Sequence, residues 1–87
     1  MSYHLKFSKQ AVKDIDFHKK SGNKTVLSKI ATLLDEITET PTKGTGKPEQ
    51  LKHNLSGFWS RRINREHRLV YQIKPDSILV YSAKGHY

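Results

Sequence analysis

The run from Lys47 to Tyr71, KPEQLKHNLSGFWSRRINREHRLVY, gathers Lys47, Lys52, His53, Arg61, Arg62, Arg65, His67 and Arg68 around the carboxylate of Glu49. Between them, at strand-like intervals, stand Leu51, Leu55, Trp59, Ile63, Leu69 and Tyr71. A sheet that presents cations on one face and buries apolar groups on the other suits a polyanion, and His86 and Tyr87 can complete the same site. RNA carries its own nucleophile, the 2′-hydroxyl. Cutting it takes a base for that proton, an acid for the departing 5′-oxygen and cations for the pentavalent phosphorane. Glu49, His86 and the arginines are residue types that fill those roles. A histidine titrates near neutrality and suits the acid, whereas a glutamate is a weak base unless burial or geometry assists it. Taken singly, Glu49 is more often an exposed loop carboxylate and His86 a frayed tail residue.

The chain that must position these groups has 87 residues, which allows one domain, 1–87, with one modest core and a shallow, open site. Its net charge of +8, from 16 Lys and Arg against 8 Asp and Glu, is clustered and points to a nucleic acid, an acidic protein, or both. A basic surface kept for solubility is the plainer alternative. Cysteine is absent, which excludes disulfides, thiolate chemistry and zinc-finger ligation. The start, MSYHLKFSK, lacks the continuous apolar segment of a signal peptide or membrane span, so a soluble cytoplasmic protein is expected. His4, His18, His53, His67 and His86 show no close spacing to carboxylates of the kind that builds a metal site, and no metal or other cofactor is assigned.

Tyr3 to Phe7 alternates as a short strand with Tyr3, Leu5 and Phe7 inward. Ser8 offers an N-cap for a helix to about Lys20, in which Ala11, Val12, Ile15 and Lys19 fall at three- and four-residue steps. Val26, Ile30, Leu33 and Ile37 repeat at the helical period, widened by Leu27 and Leu34. They predict a second helix, capped by Asn23 and stopped near Glu39 because Pro41 disfavours helical geometry at Thr40. Pro41 to Pro48, PTKGTGKP, is the connector to the strand-rich half. Its Gly-Thr-Gly-Lys lacks the full phosphate-loop spacing; it reads either as a hinge or as glycines that bring Lys43 and Lys47 close to a phosphate chain. Strands over Gln50 to Leu55, Phe58 to Ile63, Arg68 to Ile73 and Ile78 to Ala83 then form an antiparallel meander. The fold class is α+β, two N-terminal helices on a small twisted antiparallel sheet in the order β-α-α-β-β-β-β.

Parity sharpens the site. If Trp59, Ile63, Leu69 and Tyr71 point inward, Arg62 and Arg68 point outward, nearly opposite each other, with Asn64, Arg65 and Glu66 at the turn between them. Facing like charges cost stability unless an anion comes between them. The plainer alternatives are an arginine bent into solvent or paired with Glu66, and a bulge that inverts the parity. Both faces of the last strand are apolar, so parity does not aim His86.

GTGKPEQLKHNLSGFWSRRINREHRLVY, with the terminal GHY, closely resembles the YoeB/Txe toxins of the RelE superfamily, ribosome-dependent mRNA interferases of bacterial toxin-antitoxin pairs. The match runs from about Gly44 to Tyr71 and resumes at His86 and Tyr87; the first forty residues match more in helical layout than in identity. The resemblance implies a small sheet packed on two helices and cleavage of mRNA in the ribosomal A site by 2′-hydroxyl attack. By the same resemblance Glu49 matches the general base, Arg68 the phosphate-stabilising arginine, His86 the general acid and Tyr87 the tyrosine that shapes the site. Arg62, Lys52 and His53, with Lys47, fall where the substrate is bound or oriented. Gly85 stands where relatives usually carry a bulkier residue, and is expected to loosen the tail. The partners implied are an acidic antitoxin of the YefM/Axe kind covering the basic site, operator DNA bound through that complex, the ribosome and its mRNA, and often a second toxin copy. Two alternatives stand beside the nuclease reading. One is a non-nuclease toxin on the same fold, against which Glu49 and His86 speak. The other is a non-catalytic RNA- or ribosome-binding module, which would bind with a steep salt dependence yet leave the RNA whole, so that cleavage separates it from a nuclease.

Overall fold

The computed structural model describes residues 2–51 and 57–85. Its elements are β1 (His4–Phe7), α1 (Lys9–Lys20), α2 (Lys24–Glu39), β2 (Glu49–Gln50), β3 (Phe58–Arg62), β4 (Arg68–Ile73) and β5 (Ser77–Ser82), in the expected order. The sheet runs β1-β5-β4-β3-β2. From β2 to β5 it is the antiparallel meander, whereas β1 lies parallel to β5, with Leu5 beside Ile78 and Phe7 beside Val80. The sheet is thus mixed, as a parallel pair needs a long return connection and the helical hairpin is part of it. Most of the segment expected to continue β2, 52–56, lies outside the described residues.

The helix α2 buries the stripe read from its sequence: Val26, Ile30, Leu33 and Ile37 are all 3% exposed or less. Asn23 caps it, Oδ1 accepting from the Val26 N–H at 3.1 Å, and it ends at Thr40 just ahead of Pro41. The stripe packs on Leu69, Tyr71, Ile78 and Val80 of the sheet in one core. Burying each such aliphatic side chain contributes roughly 2 kcal/mol.

The inner face of α1 differs from the expected one. Ser8 caps the helix, Oγ accepting from the Ala11 N–H at 3.0 Å, and also donates to the Tyr81 carbonyl at 2.7 Å. Val12, however, is 57% exposed and Phe7 of β1 is 41% exposed. The buried residues of α1 are Ala11, Asp14 and His18. Beyond β5 the peptide groups of Ala83 need partners, and a buried peptide left unpaired costs more than a buried methyl returns. Asp14 and His18 supply those partners, so the helix turns its polar pair inward and Val12 outward.

Candidate active site

The strand β2, which carries Glu49, follows a connector whose path is set by Arg61. By parity Arg61 lies on the side of β3 that Trp59 uses, facing the helices, and it is fully buried. It is therefore not part of the exposed cationic face that its charge suggested. Its Nη2 donates to the carbonyls of Thr40 and Lys43, each at 2.6 Å. Nη1 reaches Glu36 Oε1 at 2.8 Å and the Thr45 carbonyl at 3.3 Å. Nε donates to the Tyr71 hydroxyl at 3.1 Å, which donates in turn to the Pro41 carbonyl at 2.6 Å. A guanidinium has five N–H donors, and each finds an acceptor here. The segment that could have been a hinge is fastened down.

The two connector glycines belong to this fastening. A Cβ on Gly44 would collide with the Glu36 carboxylate and Arg61, and one on Gly46 would lie 2.8 Å from the Arg62 carbonyl. Both have positive φ, 126° and 86°. The Gly46 carbonyl accepts from the Arg62 N–H at 2.7 Å. Lys47 then takes φ 51°, a left-handed conformation that costs a residue with a side chain roughly 1 kcal/mol. This turn, followed by Pro48, leads the chain into the β2–β3 pairing.

Glu36 offers a pH test of the connector. The Thr45 hydroxyl and N–H, bonded to it at 2.7 and 2.8 Å, hold its carboxyl below the usual carboxylate range. Arg61 adds to this and burial works the other way. A depressed carboxyl means that the unfolded chain takes up the proton more readily. The stability it contributes is present above the ordinary value of 4.5 and lost as pH falls through the lower folded one. The gap in thermal midpoint between wild type and Glu36→Gln should therefore narrow on acidification below pH about 4.5. A gap constant down to the acid transition would show that the charge of Glu36 is immaterial. Burial raises the pKa of Tyr71, so its hydroxyl stays neutral and able to donate to Pro41.

On the other face of the sheet the register pairs Glu49 with Ser60 and Arg62 with Arg68. Residues paired across a ladder share a face, so all four look the same way. The opposition of Arg62 and Arg68 read from parity is present. Asn64 makes the turn between them, its Oδ1 accepting from the N–H groups of Glu66 and His67 at 2.9 and 2.8 Å. Arg68 Nη1 donates to Ser60 Oγ at 3.2 Å and lies 3.7 Å from Glu49 Oε1. The Glu49 side chain is 67% exposed and that of Arg68 22%. A guanidinium braced from beneath by a buried serine, with a loosely held carboxylate at its rim, can meet a phosphate oxygen while the carboxylate takes a neighbouring proton.

The tail returns to the same place. The Gly85 carbonyl accepts from the main-chain N–H of Arg68 at 2.8 Å and its N–H donates to His67 Nδ1 at 3.0 Å. The glycine expected to loosen the tail is thus bonded through both its peptide groups. Of the sequence candidates, Glu49 and Arg68 stand together, Arg62 is opposite Arg68 and exposed, and Lys47 is exposed on the approach to β2. Lys52, His53, His86 and Tyr87 lie outside the described residues. Sequence reasoning missed Ser60, although its parity with Arg62 was a usable signal, and missed the supporting parts of Glu36, Asp14 and His18.

A two-helix cover on a mixed sheet, with an open carboxylate-arginine pair on its basic face, defines a class that comparison identifies. Residues 7–87 match the family described as YoeB-like toxin of bacterial type II toxin-antitoxin system. Toxin YoeB of Escherichia coli K12 is 54% identical over 65 residues, 75% of this chain and 77% of that one. A YoeB dimer from Staphylococcus aureus superposes with a TM-score of 0.88 at 42% identity, and a YoeB-YefM complex from that species with 0.85 at 43%, each covering 100% of both chains. The chain belongs to the YoeB family of toxins of toxin-antitoxin systems. Among the described residues no helix is long and apolar enough to cross a membrane.

Proposed function

We propose that this toxin is a ribosome-dependent endoribonuclease that cuts mRNA in the A site. The 2′-oxygen attacks the adjacent phosphorus and gives its proton to Glu49, while the 5′-oxygen leaves with a proton from His86. Arg68 stabilises the charge that builds on the phosphorane, and Tyr87 shapes the pocket. Arg62, Lys47, Lys52 and His53 bind the flanking backbone. The products are a 2′,3′-cyclic phosphate and a 5′-hydroxyl, and no metal or cofactor takes part.

The observation that most supports this reading is the 3.7 Å approach of Glu49 to a serine-braced Arg68 on an open face. A net charge of +8 suits both RNA and an acidic inhibitor. Because its Staphylococcus relative is found with YefM and as a dimer, we assign this toxin an acidic antitoxin of the YefM/Axe kind that covers the site. The pair would bind operator DNA, and the toxin alone would pair with a second copy. In the cytoplasm its target is the translating ribosome.

The test is to map mRNA 5′ ends in translating ribosomes with and without the protein. New ends bearing a 5′-hydroxyl at A-site codons are expected. Ribosomes that bind the protein while their mRNA stays whole would make it a non-catalytic ribosome-binding module.

A further inference from the structure

The β4–β5 ladder ends at Val70 and Ser82, yet the main chain beyond it is held at alternate residues, as it would be in a strand. Ala83 is fully buried. Its N–H donates to Asp14 Oδ2 at 2.9 Å and its carbonyl accepts from His18 Nε2 at 2.8 Å. Two residues on, Gly85 is bonded to His67 Nδ1 and to the N–H of Arg68. Three side chains and one main-chain N–H thus do what a neighbouring strand would do. Between these points the Lys84 ammonium sits 3.9 Å from the centre of the Phe17 ring.

The holders are themselves held. Gln10 donates to the other oxygen of Asp14 at 2.7 Å, and the rings of His18 and His67 meet edge-on with centroids 4.8 Å apart. A carbonyl oxygen only accepts, so His18 Nε2 carries a hydrogen. An amide N–H only donates, so His67 Nδ1 carries none and its ring is neutral, with the hydrogen on Nε2. Burial above all, with His18 nearby, keeps the His67 pKa below the ordinary histidine range, which favours that acceptor form.

We propose that Asp14, His18 and His67 are positioning residues that fix the main chain at 83 and 85, so that the chain leading to His86 departs from a set point beside Arg68. This rests on the nuclease reading above and adds to it residues that touch no substrate. The link between the two halves of the site is Arg68, whose main chain holds the tail and whose side chain approaches Glu49. Protonating His67 would remove the acceptor for Gly85. The groups that face it and bias that event are His18 and Asp14 from α1, Glu66 from the turn and Lys84 from the tail.

The test compares wild type with His67→Leu, which has no acceptor, and with His67→Asn, whose Oδ1 takes the place of Nδ1 and does not titrate. Amide relaxation of residues 83–85 and single-turnover cleavage on programmed ribosomes are both measured. In His67→Leu the tail amides should become mobile and the rate should fall about 30-fold or more, with A-site affinity unchanged, as a displacement of about an ångström warrants. His67→Asn should restore both, and should keep its tail ordered at acidic pH where the wild-type tail loosens. A tail as rigid in His67→Leu as in wild type overturns the clamp whatever the activity. A mobile tail with undiminished cleavage overturns its positioning role. If the wild type cuts nothing, the nuclease reading fails and the relaxation data still decide the clamp. Should His67→Leu not fold, His18→Asn and His18→Gln provide the same contrast, because Gln Nε2 reproduces the donor to Ala83.

Discussion

Replacing Arg61 with leucine is expected to destabilise the domain by about 3–5 kcal/mol, because each of several polar groups deprived of its partner costs about 1–3 kcal/mol. The guanidinium is fully buried, and its loss takes the donor from the carbonyls of Thr40, Lys43 and Thr45, while the Tyr71 hydroxyl keeps only its bond to Pro41. Glu36 suffers less, being 29% exposed and still bonded to Thr45. Small domains have about 0.05–0.15 kcal/mol of stability per residue, roughly 4–13 kcal/mol for a chain of 87 residues, so Arg61→Leu should remove a large share of the total. Lysine is no substitute: one ammonium with three donors cannot span acceptors spread around a planar fork. Urea unfolding decides the matter. A loss below about 1 kcal/mol would mean that other contacts keep the connector in place.

In single-turnover cleavage on ribosomes, Glu49→Gln should lose about 10²–10⁴-fold, the usual worth of a general base, and Arg68→Ala about 10²–10³-fold. Binding to the A site should persist in both. The two groups lie 3.7 Å apart and would act on one transition state, so the double variant should lose much less than the product of the single losses. Stability should barely change in Glu49→Gln, because a surface ion pair with so exposed a carboxylate is worth about 0–1 kcal/mol. Strictly multiplicative losses, or an Arg68→Ala enzyme within about threefold of wild type, would remove the pair from the chemistry.

The features legible in the sequence were those with local periodicity. The α2 stripe from Val26 to Ile37 and the opposition of Arg62 to Arg68 both follow from spacing within one element or one tight turn. What escaped depended on distant partners. Nothing around Asp14 or His18 announces that residue 83 will need them, so hydropathy gave α1 the wrong inner face. Arg61 was read by its charge, although its parity with Trp59 and Ile63 already placed it inside. The side of the sheet that β1 would join has no local signature either, since its partner lies some seventy residues away. For the site, spacing and resemblance supplied Glu49 and Arg68, while the side chains that brace or carry them belong to other elements.

The placement of β5 between β1 and β4 bears on how the protein is born. The first strand, the cap of α1 through Ser8 and the inward polar pair of that helix all take their partners from residues 77–83. While a ribosome is still making the domain, its earlier half has no sheet to dock on, and long-range pairing of this kind forms late. On the nuclease reading proposed above, the nascent polypeptide would be harmless to the machine producing it and would acquire its activity only after that stretch has cleared the exit tunnel.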